Sequence, residues 1–393
     1  MGTEAEGEGE RGWAIRDYQR GDEAAIVDLH SRVFAEPSGA RPAHDPRPAC
    51  GPLHWRWEFA DNPVGPQTIK LVWREPSSGD PHSDLVGQYA VSPRRLRCLG
   101  ETRLAGLSID AMTDPAFKRQ GIFSASAEAC YTTMRERDFC VVFGFPNADS
   151  IRGFEKNLGW RSVMPLPVLI KPLDLGELLG SQVERPQLRS LLSIATRQLS
   201  RAPGIVDELS TQLQRAGPRP PVRTFDRFGD WVDPLWRRCQ SQHEIWVIRD
   251  QEYLEWRYDQ RPGSDYLRLR VDGAEGISGY AVLAFSTGAQ GPGAFIMELV
   301  VDLEQDGALR ALLRSIEEQA RARSCAFLSA MSGPGSRYRS ALLRQAYLPL
   351  PERLFPRELY FGARPLDTLE GMDAAMLMHP TSWELSWGDT DLV

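Results

Sequence analysis

Two basic residues, Lys118 and Arg119, stand just ahead of Gln120 and Gly121 in the stretch TDPAFKRQGIFSAS, from Thr113 to Ser126. Beyond them Phe123, Ala127, Cys130 and Met134 fall at the spacing of one helix face. The pattern predicts a strand that ends, a tight basic turn and a helix that begins. A helix amino end carries unpaired backbone N–H groups and a partial positive charge, and phosphates bind there readily. Lys118 and Arg119 add full charge, and Gly121 lets the backbone approach a ligand with no Cβ in the way. Gln120, Gly121, Ile122, Phe123 and Ser124 are then placed to present N–H groups to a pyrophosphate. The spacing is neither that of a phosphate loop ending in Gly-Lys-Ser/Thr nor that of a dinucleotide fingerprint.

A carboxylate on the preceding strand, Asp110, is a candidate general base, acting directly or through one water. Strand alternation puts Ser108, Asp110 and Met112 on one face. Asn147 precedes the run ADSIRGFEKNLGW and is either a ligand contact or the N-cap of a helix there. Metal and thiol chemistry are not expected. The six cysteines form no CxxC pair, and none has a neighbouring His that would mark a nucleophile. They read as reduced structural thiols, so a cytoplasmic protein is expected. Net charge is -7 with no Lys/Arg block, which argues against nucleic acid as a partner. No apolar run reaches the ~18 residues of a membrane span.

The elements that must position these residues can be read in order. Residues 1–12, acidic and Gly-rich, are expected to be disordered. A first unit spans 13–175. It opens with a strand and a helix for which Asp22 is the expected N-cap, followed by a Pro/Gly-rich loop near Pro37 to Pro52. TIKLVW, DLVGQYAV and RLAGLSIDAM then read as strands. The helix after Gly121, the buried strand FCVVFGF and a helix stopped by Gly159 complete it. Residues 176–222 carry an amphipathic stripe and read as a helical linker. A second unit, 223–363, repeats the first: HWRWEFADNPVG is echoed by YLEWRYDQRPGS, each followed by similar strands and a helix. Trp55, Trp57, Trp256 and Tyr258 at this repeated corner are expected in the core. Where the first unit has its basic turn the second has DLEQDGALRALLR, with Glu304 and Asp306 for the basic residues and no glycine expected in the place of Gly121. The tail, 364–393, is expected to be solvated; otherwise its Asp389 and Asp391 would reach a cationic acceptor. The expected fold class is α/β (α+β), two tandem mixed-sheet domains joined by a helical linker.

The order of these elements resembles that of the GNAT acyltransferases. SIDAMTDPAFKRQGIF is similar to the GNAT acyl-CoA motif, with Lys118 at its Gln/Arg position, Gly121 at its first Gly and Phe123 at its last. GFPNADSIRGFEKNLGW resembles the family's next motif. The resemblance covers 13–175 well and 223–363 weakly, the latter as a degenerate GNAT-like copy. It implies that Lys118 to Ser124 hold the pyrophosphate of acetyl-CoA or another acyl-CoA. Backbone near Met112 and Thr113 would hold the pantetheine arm, with Asn147 at the mouth of a slot where this strand and Val142–Phe145 splay apart. It further implies transfer of the acyl group to a primary amine of a small molecule, directly and without a covalent intermediate. The second copy would build either the acceptor site or the contact of a homodimer. One departure concerns chemistry: the tyrosine that the family often uses to protonate the leaving thiolate is absent, and Phe154 and Glu155 stand there. The alternative is a non-catalytic acyl-CoA-binding or sensor protein.

Overall fold

Strand β1 (Trp13–Asp17) pairs with β2 (Thr68–Arg74), β2 with β3 (Leu85–Cys98) and β3 with β4 (Glu101–Thr113), all antiparallel. The chain then crosses over through helix α2 (Ile122–Glu136) to place β5 (Phe139–Gly144) parallel to β4. Helix α1 (Glu23–Phe34) lies earlier in the chain, between β1 and β2. Asp22 does precede it, but its carboxylate accepts from the Arg16 guanidinium and the Gln19 N–H rather than from the helix. Helix α3 (Ala148–Leu158) follows β5 and ends at Gly159 in the left-handed conformation. β3 is buried along almost its whole length because α2 and α3 cover one face while α1 and the second unit cover the other. The structure, a computed structural model, describes residues 12–34, 51–174, 220–274, 276–288, 291–305, 307–350, 358–366 and 372–392. The expected disordered terminus and helical linker fall almost wholly outside those residues. Among them, no helix is long and apolar enough to cross a membrane.

The second sheet repeats the connections of the first. β8 (Val222–Thr224), β10 (Tyr266–Gly273), β11 (Gly276–Gly288) and β12 (Gly291–Val301) run antiparallel, and helix α4 (Ala308–Ala322) crosses over to β13 (Phe327–Met331), parallel to β12. Each sheet is completed by a strand from the other stretch of sequence. β7 (Val168–Pro172) leaves the first unit to pair with β13, next to β14 (Leu348–Pro349). In return β15 (Tyr360–Pro365) inserts between β5 and β6 (Arg161–Pro165). The short strand β9 (Ile245–Val247) also pairs with β3.

The repeated tryptophan corner marks an internal two-fold relation. Trp57 and Trp256 sit in matching π-helical turns, Arg56–Ala60 and Glu255–Asp259. Their rings stack at 4.9 Å, and each indole N–H donates to the other's carbonyl, at 2.7 and 2.8 Å. Both are buried, so these residues are core, as the recurrence of the motif predicts. Contrary to expectation, the tail is not solvated from Ser382 to Thr390. Trp383, Leu385, Trp387 and Asp389 are buried, and Asp389 pairs with the buried Arg249 at 2.7 Å. Trp383 packs on Phe143 and Phe361 of the first sheet, while the Trp387 indole donates to Ser329 Oγ on β13. Composition misled here because neutralisation by a distant arginine removes most of the cost of burying the carboxylate.

Candidate active site

The basic turn is pinned before it begins. Asp114 caps a single 3-10 turn, Pro115–Phe117, by accepting from the Ala116 N–H at 2.9 Å, and its other oxygen accepts from Arg32 of α1 at 2.9 Å. Arg32 also donates to the Leu85 carbonyl, so α1, β3 and the turn are tied together. Lys118, Arg119 and Gln120 are then exposed. Gly121 has φ 78°, a left-handed conformation that glycine adopts without strain, and no side chain caps the helix there. α2 starts at Ile122, which is buried, and its first turn holds no acidic residue. The N–H groups of Gly121, Ile122, Phe123 and Ser124 belong to the set that a helix leaves without internal acceptors. Phe123 turns inward, with its ring centroid 5.1 Å from that of Phe154 and 6.0 Å from that of Tyr89. Its ring therefore packs against the aromatic core rather than standing free at the helix start.

Beside this turn the sheet opens. β4 and β5 pair only from Leu104 to Leu107, against Phe139 to Phe143. From Ser108 to Thr113 β4 has no paired β5 residue, although Gly144 at the end of β5 still lies beside the Ser108 carbonyl. The carboxyl ends of the parallel pair and the amino ends of α2 and α3 therefore converge on one gap. Met112 and Thr113 lie along it, held on their other side by Gln88 and Gly87 of β3. A β-bulge shapes its wall: Ala90 pairs with Ile109 and Gln88 with Met112, so Asp110 and Ala111 face the single residue Tyr89. Asp110 sits at the bulge with φ 51°, half-buried, and its carbonyl accepts from Gln88 Nε2 at 3.1 Å. The bulge breaks the alternation expected from the sequence. Ser108 joins the Tyr89 side of the sheet, while Met112 packs with Ile109 in the opposite core. Asn147 caps α3, its side-chain oxygen accepting from the N–H groups of Asp149 and Ser150 at 3.1 and 2.9 Å.

Hydroxyl groups line up under the gap. Ser108 Oγ lies 2.9 Å from the Tyr89 hydroxyl, that hydroxyl 2.7 Å from the Tyr131 hydroxyl, and the Trp160 indole N–H donates to Tyr131 at 2.8 Å. Burial pushes both phenols above the usual tyrosine range, so both keep their protons. Tyr89 and Tyr131 were invisible to sequence reasoning, because nothing local distinguishes them from other core tyrosines. Phe154 packs against Tyr89 and Trp160, and Glu155 points away, accepting from the Ser162 N–H. Among the described residues no cluster of His, Cys, Asp and Glu could hold a metal ion.

The second unit differs in charge and in filling, not in backbone. Contrary to the sequence reading, a glycine does stand at the start of α4: Gly307, with φ 82°, matches Gly121. The loop before the helix is longer in the first unit, so the two glycines do not align residue for residue from the preceding Asp. Glu304 and Gln305 precede Gly307 where Lys118 and Arg119 precede Gly121 in the first unit. The tail occupies the space beside β12, with Gly388 packed against Tyr258, Glu298 and Met297.

Residues 14–163 match the family model described as an acetyltransferase (GNAT) domain. That stretch is a GNAT domain. None of the curated proteins matches the sequence. Several solved structures share the fold over nearly the whole chain. A conserved protein of Enterococcus faecalis V583, a probable N-acyltransferase, aligns over 91% of this chain and 73% of its own, with 11% identity and a TM-score of 0.54. The N-myristoyltransferase of Saccharomyces cerevisiae, with bound myristoyl-CoA, aligns over 90% and 82%, with 12% identity and a TM-score of 0.54. A tandem GNAT protein from the clavulanic acid biosynthesis pathway aligns over 90% and 98%, with 14% identity and a TM-score of 0.53.

Proposed function

We propose that the protein is an acyl-CoA-dependent N-acyltransferase that passes an acyl group, acetyl in the simplest case, directly to a primary amine of a small molecule. The observation that carries this reading is the gap between β4 and β5 opening beside the amino end of α2, with Lys118 and Arg119 at its rim. The pyrophosphate sits on the N–H groups from Gln120 to Ser124. The pantetheine arm adds to the free edge of β4 at Met112 and Thr113 and passes Asn147. The thioester then reaches the bulge. Asp110 takes the proton of the incoming ammonium, directly or through one water, and positioning supplies much of the remaining rate. In this reading 13–175 is the catalytic unit, 176–222 the linker, 223–363 a degenerate copy that walls the acceptor side, and 364–393 the strap that fills that copy. The buried free cysteines suit the reducing cytoplasm.

One observation favours a second reading, a non-catalytic acyl-CoA sensor: Phe154, a buried apolar ring, stands where the resemblance expects an acid. Calorimetric titration with acetyl-CoA tests the site. Binding is expected and is expected to vanish in Gly121→Glu, which adds a negative charge and a strained backbone. Binding that Gly121→Glu leaves unchanged sinks the assignment. Thiol release over a panel of amino sugars, polyamines, amino acids and aminoglycosides then separates enzyme from sensor.

A further inference from the structure

Acyl transfer to an amine leaves two protons to be managed. The attacking nitrogen carries one too many after it bonds to the carbonyl carbon, and the departing sulfur needs one. Whatever moves them must sit beside both atoms, at the place where the thioester ends. In the described structure that place is the point where β4 leaves β5, between Leu107 and Ser108.

We infer that Ser108 is the proton shuttle of this reaction, with Tyr89 and Tyr131 as its positioning residues; the inference rests on the acyltransferase reading of the same gap. Ser108 is half-buried at the first unpaired position of β4, on the side of the sheet that carries α2. Its hydroxyl is the near end of a chain whose far end is fixed in direction. The Trp160 N–H can only donate, so the Tyr131 oxygen accepts from it, and Tyr131 is left to turn its own proton toward Tyr89. Ser108 donates to Tyr89 in the structure. When Tyr89 turns its proton back, Ser108 is free to donate into the gap, because hydroxyl hydrogens rotate to suit their partners.

The step balances without another reactant. The neutral amine attacks the carbonyl carbon and the N–C bond forms. The surplus proton on nitrogen passes to Ser108 Oγ while the proton already on Ser108 passes to sulfur as the C–S bond breaks. The products are the amide and free CoA thiol, and Ser108 ends as it began. Tyr131 donates to Tyr89, and Tyr89 holds the Ser108 rotamer and donates to it while charge builds there.

The test uses the full chain, acetyl-CoA and the panel amine with the highest turnover, or water where no amine exceeds hydrolysis. Ser108→Ala is expected to lower kcat about 100-fold, within the range for general acid–base groups. Its KM and its calorimetric affinity for acetyl-CoA are expected to match wild type. Ser108→Thr, which keeps the hydroxyl on a strand-compatible side chain, should restore kcat to within about threefold. Tyr89→Phe should lower kcat about tenfold alone and add almost nothing to Ser108→Ala, as groups acting as a unit do. Full turnover by Ser108→Ala with acetyl-CoA still bound overturns the inference and leaves the acyltransferase reading standing. Equal losses in Ser108→Ala and Ser108→Thr overturn it as well. A wild-type protein that binds acetyl-CoA yet releases no thiol overturns both.

Discussion

Lys118 and Arg119 are exposed, so their attraction for a phosphate is partly screened by water and salt. Replacing both with Ala is expected to weaken CoA binding about tenfold at low salt, with the deficit shrinking as ionic strength rises. A calorimetric salt series on the double variant checks this, and a loss independent of salt would assign the residues a role other than charge. A second prediction concerns Glu384 and His243, whose Oε2 and Nδ1 lie 3.2 Å apart in the core. Burial pushes the Glu384 carboxyl up to about 8 and the His243 imidazole down to about 4. At neutral pH the carboxyl keeps its proton and the imidazole has none, so the contact is not an ion pair, and Glu384 Oε2 makes no hydrogen bond there. A carboxyl whose pKa rises on folding favours the folded state fully below its ordinary value and loses that advantage as pH climbs to about 8. His243 works in the opposite sense between about 4 and its ordinary 6.5, so the two offset one another until about pH 6.5. From there Glu384 acts alone. Stability is expected to fall by about 2 kcal/mol between roughly pH 6.5 and 8. Melting curves across that window should show the fall in wild type and not in Glu384→Gln.

Among the elements, the tail is what most distinguishes two similar backbones. Both helix starts have a left-handed glycine, at Gly121 and Gly307, yet only the first unit keeps its strand gap open. In the second, residues Ser386 to Thr390 are drawn in by Arg249, which donates to Glu298 and Asp389, and by Arg257, which donates to the Gly388 and Thr390 carbonyls. Gly388 has no room for a side chain: a Cβ there would lie 2.1 Å from the Tyr258 hydroxyl and 2.4 Å from a Glu298 oxygen. Gly388→Ala is therefore expected to cost about 1–3 kcal/mol, read as a lower melting temperature with acetyl-CoA affinity unchanged. The basic turn, the two helices and the strands around them were legible in the sequence because apolar spacing and turn residues are local signals. The bulge at Asp110 was not, since it depends on how β3 pairs with β4, and it moved Met112 to the face opposite Ser108. The tail was not legible either, because the arginines that neutralise and bind it lie more than a hundred residues away.

For the molecule as a whole, the repeat of WRWEFADNP in WRYDQRP marked a corner expected in the core, and the structure adds what the repeat did not say, that Trp57 and Trp256 stack on each other there. What the repeat could not reveal is the trade of strands. β7 and β15 read like any short apolar strand, and nothing in either says which sheet it will join. Each fills the same place in its host, β15 between β5 and β6, and β7 between β13 and β14. The consequence is that neither sheet can close from its own stretch of sequence. A fragment of residues 1–200 lacks β15, so β5 and β6 lose their common partner and Phe143 loses both Phe361 and Trp383. Unpaired central strands and exposed aromatic rings favour aggregation. The fragment is expected to be insoluble or to melt without cooperativity, and residues 201–393, which lack β7, to behave likewise. Produced together, the two should assemble one to one and bind acetyl-CoA with the affinity of the intact chain, because the cut leaves every described strand intact. Size-exclusion chromatography and calorimetry on the separate and combined fragments decide the matter. A 1–200 fragment that is soluble, melts cooperatively and binds acetyl-CoA unaided would show that the exchange is dispensable and that the first unit folds alone.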